Sequence, residues 1–142
     1  MEKKYLAFVL SLSFLFLFYS SSFVFGEEPE VKKELWENGK KRYEKKYKNG
    51  RENGRFTIWY QNGQKEWEAH YKNGTQDGSF TFWYKNGHKK SEEYYVDGLQ
   101  NGLFTLWHEN GLKDLEITFK NGSQPGLLIE WHENGVKMFE VY

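Results

Sequence analysis

Strand-like alternation of apolar and polar residues runs from about residue 34 to the end of the chain and restarts every 24 residues. Phe80-Thr81-Phe82-Trp83-Tyr84 alternates with period two. So do Phe56-Thr57-Ile58-Trp59-Tyr60 one unit earlier and Phe104-Thr105-Leu106-Trp107-His108 one unit later. Such alternation marks half-buried strands, because successive side chains point to opposite faces. Asn-Gly pairs punctuate it at 38–39, 62–63, 86–87, 110–111 and 134–135. Between them stand Gly50, Gly74, Gly98 and Gly122, each followed four residues later by Gly54, Gly78, Gly102 and Gly126. A fixed period in this range means one supersecondary unit stacked on copies of itself.

An Asn-Gly pair between alternating segments predicts a two-residue type I′ hairpin, whose two central residues need positive φ. In residues 79–98 that turn places Lys85 opposite His88, Tyr84 opposite Lys89, Trp83 opposite Lys90, Phe82 opposite Ser91, Thr81 opposite Glu92 and Phe80 opposite Glu93. One face then carries Phe80, Phe82, Tyr84, Lys89, Ser91, Glu93 and Tyr95, and the other Thr81, Trp83, Lys90, Glu92 and Tyr94. The first is the apolar face in every copy; the second is polar except for its Trp. Residues 72–78 read as a longer loop joining one hairpin to the next. An isolated hairpin is not stable in water. The expected fold is therefore all-β: an elongated, twisted antiparallel sheet of about ten strands, built of stacked 24-residue β-hairpin repeats and curling over its aromatic face.

The run from Tyr71 to Phe80 (YKNGTQDGSF), followed by Trp83-Tyr84-Lys85-Asn86-Gly87, resembles the MORN repeat. It is closest to the variant form in the bacterial YwqK-type toxin–antitoxin antitoxin family. The resemblance spans residues 34–142 as a partial first copy and four near-complete repeats. It departs from many MORN units at Lys45, Ala69, Glu93 and Ile117, where those carry Gly. The resemblance implies a scaffold or binding surface and, through the family's name, an antitoxin-like neutralising role.

The first 26 residues lie outside the repeat. Lys3 and Lys4 precede an apolar run from Tyr5 to Phe25, and Val24-Phe25-Gly26 offers a cleavage site before an acidic stretch. This reads as a signal peptide cut between Gly26 and Glu27, with residues 27–33 as a short charged linker. The expected location is secreted, periplasmic or cell-surface. The alternative is an uncleaved membrane anchor, since the run is nearly long enough to span ~30 Å of hydrocarbon. Without Lys3, Lys4 and Glu2 the chain has 18 basic and 19 acidic residues. That balance argues against nucleic acid, which requires a basic stripe or excess. There is no Cys, hence no disulfide framework.

Several residue patterns suggest chemistry. His108 and His132 share a repeat position, but equivalent residues two strands apart lie about 10 Å from one another. Two imidazoles on one zinc each need a nitrogen within about 2.1 Å of the metal. The ladder Glu44, Glu68, Glu92, Glu116 and Glu140 has spacings near those of glycosidase carboxylates. A catalytic pair, however, needs two unlike environments, and a ladder repeats one. No nucleophile–base arrangement or phosphate loop is visible. The expectation is a non-enzyme without metal or cofactor.

The remaining candidate is the row Trp59, Trp83, Trp107 and Trp131, flanked by Thr57, Thr81 and Thr105 and by Glu68, Glu92 and Glu116. Indoles in such a row can dock peptide side chains, stack on sugars or meet headgroups. They can equally stabilise the sheet through cross-strand packing. The leading expectation is a protein partner. Carbohydrate or cell-wall binding is the alternative, and contact with a membrane is expected only if the N-terminal segment stays uncleaved.

Overall fold

The computed structural model describes residues 28–123 and 126–142; the expected signal peptide lies outside them. Eleven strands follow one another: β1 (Glu30–Leu35), β2 (Lys41–Lys48), β3 (Arg51–Trp59), β4 (Lys65–Lys72), β5 (Thr75–Trp83), β6 (Lys89–Val96), β7 (Leu99–Gln100), β8 (Gly102–Trp107), β9 (Lys113–Phe119), β10 (Leu128–Trp131) and β11 (Lys137–Val141). They form a single antiparallel meander, β1-β2-β3-β4-β5-β6-β8-β9-β10-β11, with the short β7 beside β6. The sheet starts at Glu30, inside the stretch read from sequence as a linker, because Glu30 to Glu34 pair with Tyr47 to Tyr43 of β2. No helix among the described residues is long and apolar enough to cross a membrane.

The two kinds of turn are exchanged relative to the sequence reading. At Asn86-Gly87 only the glycine has positive φ (92°). Gly87 N–H donates to the Tyr84 carbonyl and Tyr84 N–H to the His88 carbonyl, both at 2.9 Å. This is a three-residue loop closed by a glycine bulge. Type I′ geometry occurs instead at Asn49-Gly50, Asn73-Gly74, Asp97-Gly98 and Asn121-Gly122, where both residues have positive φ. Lys72 pairs directly with Thr75 across one such turn, so residues 75–78 belong to β5 and not to a long loop.

The three-residue loop sets a register one residue off the expected one next to the turn, and a second bulge, at Lys90, restores the expected register beyond it. Phe80, Thr81 and Phe82 pair with Glu93, Glu92 and Ser91 as expected, but Trp83 pairs with Lys89 and not Lys90. The same shift follows Ile58 and Leu106. An extra residue in a period-two strand changes which face the following side chain serves. The lysines at 41, 65, 89 and 113 therefore join the Trp face, and Arg42, Glu66, Lys90 and Asp114 join the aromatic face.

Side chains tie each repeat to the next along the loop edge. Asn38, Asn62, Asn86 and Asn110 donate through Nδ2 to the carbonyls of Gln61, Lys85, Glu109 and Glu133, at 2.8–3.0 Å. Each Asn also accepts, through Oδ1, the N–H two residues on, as from His88 to Asn86 at 2.9 Å. Trp36 Nε1 and the Tyr60 and Tyr84 hydroxyls donate to the carbonyls of Trp59, Trp83 and Trp107. At the opposite edge Gly74, Gly98 and Gly122 donate N–H bonds back to Glu52, Gln76 and Gln100 of the preceding repeat.

The core is thin and central. Ala69 and Phe80 are its buried apolar residues, while Ile129 is buried on the opposite face. Around Phe80 the aromatic face closes on itself through ring contacts: Phe56 with Trp67 at 4.7 Å, Phe80 with Tyr95 at 4.9 Å and Trp67 with Phe80 at 5.8 Å. Offset and edge-on rings of this kind contribute beyond the area they bury. No second layer of described residues covers this face.

The exchanged turns make a direct test. Asn86→Gly, which a type I′ turn would accept, removes an acceptor and an inter-repeat donor. It is expected to cost about 1–2 kcal/mol in urea unfolding. Asn73→Gly keeps a positive-φ residue where one is required and is expected to stay within about 0.5 kcal/mol of the parent.

Candidate binding surface

The face opposite the aromatic core is organised by a cross-strand row. Glu44, Thr57, Glu68, Thr81, Glu92, Thr105, Glu116, Ile129 and Glu140 are successive register partners across nine strands. The threonines and Ile129 are buried, Thr57 to 3% exposure. They are small or β-branched and sit between longer neighbours. Thr57 Oγ1 donates to Glu68 Oε2 at 3.2 Å, which satisfies that hydroxyl beneath the surface.

Above this row lies a repeated ion-pair and indole lattice. Lys41, Lys65, Lys89 and Lys113 pair with Glu44, Glu68, Glu92 and Glu116, three residues on, at 2.5–2.8 Å. The same ammonium groups lie over the rings of Trp59, Trp83, Trp107 and Trp131, at 5.2–5.5 Å from the ring centres. A cation over an indole contributes roughly 0.5–1 kcal/mol at an exposed site, and an exposed ion pair about 0.2–1 kcal/mol. The four indoles are each half-buried and form a row along the stacking direction. Two strand spacings separate successive members, about 10 Å.

The carboxylates respond to these partners. The Lys41 hydrogen bond holds the Glu44 carboxyl below the ordinary carboxylate range, against the opposing effect of its partial burial. For Glu68, burial pushes upward, but the hydrogen bond and charge of Lys65, the Arg55 charge and the Thr57 hydroxyl together bring it below its usual value.

The structure brings all four sequence-predicted tryptophans and the glutamates Glu68, Glu92 and Glu116 together on one face. Thr57, Thr81 and Thr105 lie under them and out of solvent. His108 takes the place that Tyr60 and Tyr84 hold in earlier repeats. Its Nε2 lies 3.3 Å from the Trp131 carbonyl and 3.6 Å from Asp114. Among the described residues no three His, Asp or Glu side chains cluster as metal ligands would. Sequence reasoning missed the loop-edge column Trp36, Tyr60 and Tyr84. It also missed the charged column created by the bulge. The even 24-residue recurrence of Arg42, Glu66, Lys90 and Asp114 was its only trace. Two shallow clefts, of about 440 and 280 Å³, open on that aromatic side, sharing Trp36 and Glu66 in their walls. Neither touches the Trp row.

Residues 52–73 and 76–97 match the MORN repeat variant family. These two repeats are MORN variant repeats. The matched segments correspond to hairpins β3-β4 and β5-β6, the centre of the meander. The hairpin loops of the other units are closed by the same pair of backbone bonds, as at Trp36–Lys40, His108–Leu112 and His132–Val136. No curated protein matches the chain. In this protein the repeat thus generates two faces: a Lys–Trp–Glu lattice over buried threonines, and an aromatic face with a column of alternating charge.

Glu44 and Glu68 both have carboxyls depressed on folding. Their contribution is fully present above the unfolded carboxyl pKa of about 4.3 and is lost as pH falls through the lower folded values. The thermal midpoint is expected to drop between pH 5 and pH 3. Glu68→Gln should lower stability by about 1 kcal/mol or less at pH 7, because the pair is partly solvated, and should flatten that acid-side drop in a pH series of melts.

Proposed function

We propose that this protein is a non-enzymatic, exported binding module that docks a protein partner along the Trp59–Trp83–Trp107–Trp131 row. The observation that supports this reading is the row itself: four half-buried indoles at one repeat position, each framed by a lysine and a glutamate. Partly exposed Trp is enriched at the centres of protein interfaces, with charge at the rim. One face of each indole already carries an ammonium group, which leaves the ring edges and the Lys–Glu frame for contact. A protein surface that offers apolar side chains and opposite charges suits that frame better than a sugar ring, which stacks on an open ring face. Headgroup binding would draw on a basic excess, and this chain has none. Export rests on residues 1–26, whose pattern is that of a cleaved leader.

The test uses a photo-reactive residue at Glu92, in the middle of the row, in the native host. A discrete protein adduct is expected, and replacing Trp83 and Trp107 with Ala should reduce it by at least about 30-fold, the effect of losing a single interface hot spot of about 2 kcal/mol. Circular dichroism and the urea midpoint check that the doubly substituted chain is folded. An adduct unchanged in that folded chain would overturn the reading, and specific retention on peptidoglycan with no protein adduct would replace it with the carbohydrate alternative.

A further inference from the structure

The aromatic face is an unpartnered sheet surface, and its charges indicate what covers it. Arg42, Glu66, Lys90 and Asp114 occupy one repeat position, the unpaired residue of the strand bulge that follows each hairpin loop, and alternate in sign along the sheet. All four lie on the aromatic side. Arg42 stacks at 4.8 Å on Trp36 and Lys90 at 5.8 Å on Tyr84. Glu66 lines both clefts with Trp36, and Asp114 lies 3.6 Å from His108. Arg42 also pairs with Glu34. Glu66 and Lys90 have no ion-pair partner among the described residues. They stand on β4 and β6, either side of β5, about 10 Å apart and out of reach of one another.

A column that reads plus, minus, plus, minus is complementary to itself when reversed. We propose that a second copy of this chain covers the aromatic face, related by a two-fold axis lying along β5. Rotation about that axis keeps the loop ends together and reverses the strand order. Glu66 then meets Lys90 of the second copy, and Lys90 meets its Glu66. Arg42 and Asp114 form the outer pair in the same way. The apolar rows fit the same operation. Phe82 of β5 lies on the axis, Ile58 faces Leu106 of the second copy, and the bulky Trp67 faces the small Ser91. This is an isologous contact, in which one patch serves both partners and closes without forming a fibre.

The size is adequate. Nine strands at ~4.8 Å span about 38 Å, and five residues along each strand span about 17 Å, some 650 Å² per copy. Twice that lies within the roughly 1,200–2,000 Å² of a stable interface. The axis along a strand also lets two sheets of equal twist nest with strands locally aligned, as in sandwiches.

Charge reversal tests this on the protein as purified from its host, by sedimentation equilibrium at micromolar concentration. The parent chain is expected to be a dimer. Glu66→Lys and Lys90→Glu, each alone, set like charges together twice and are expected to weaken self-association at least about 30-fold. Mixing the two singly substituted chains should restore a dimer containing one of each, and the chain carrying both substitutions should again pair with itself. Replacement of Trp83 and Trp107, on the other face, should leave the dimer intact, so this proposal and the docking of a partner on the Trp row fail separately. A monomeric parent would overturn it. So would a dimer indifferent to either reversal, or two single variants that do not combine.

Discussion

Each repeat up to the one that carries Asn110 is completed by the next through side chains that end on backbone carbonyls one unit away. Asn62 reaches Lys85 and Tyr60 reaches Trp83, and both bonds span 23 residues. The same spans recur for Asn86 with Glu109 and Tyr84 with Trp107. An insertion of one residue in any unit would move a donor to the wrong strand face and leave a carbonyl unmet. The invariance of the 24-residue period is the covalent expression of that constraint. It fixes the distance between loops, so it also fixes the alignment of the Trp row and of the charged column. Neither surface exists in a single hairpin.

The period, the all-β class, the antiparallel order and the amphipathic split were legible from the chain alone, because strand alternation and turn residues are local signals. The assignment of turn types was not. Asn86-Gly87 and Asn73-Gly74 are identical dipeptides, and both suit positive φ. What separates them is distant: the Asn86 side chain is committed to His88 and Glu109, which holds its backbone out of the left-handed region, while Asn73 adopts a φ of 53°. The consequence of that one ambiguity spread. An added loop residue inverted the parity after each turn, placing Lys65 and Lys89 with the tryptophans and Glu66 and Lys90 with the aromatic rings. The tryptophans, threonines and glutamates lie before or well beyond the bulge, so their common face was read correctly.

The exchange of faces changes the chemistry of both surfaces. With the lysines on the apolar side, the Trp row would be flanked by the glutamates and by the mixed column Arg42, Glu66, Lys90 and Asp114, with no lysine repeated beside every indole. With the lysines beside them, each carboxylate is neutralised within its own strand and each indole gains a cation. The buried Thr57, Thr81 and Thr105 are a consequence of that cover, since long Lys, Trp and Glu side chains lie across a floor of short ones. On the other side, removing the lysines leaves the aromatic face with a small number of charges of alternating sign.

Stacked units also distribute stability unevenly. In a quasi-one-dimensional fold each repeat draws on its own hairpin and on its two neighbours, so a central unit has two interfaces and a terminal one has a single interface. The burial follows this rule at the outermost strands, although Thr105 of β8 and Ile129 of β10 are buried as well. Ala69, Phe80, Thr81 and Ser91 belong to the two central hairpins, while β1 and β11 are exposed along their whole length. The edges differ in kind. β1 carries Glu30, Lys32, Lys33 and Glu34, charges that discourage strand addition, whereas β11 leaves Met138, Phe139 and Val141 open. β1 therefore opposes strand addition more strongly than β11 does. Trp83 on β5 and Trp107 on β8 belong to units with a neighbour on each side, so the proposed docking row draws on repeats held at two interfaces, which lowers the ordering cost on association.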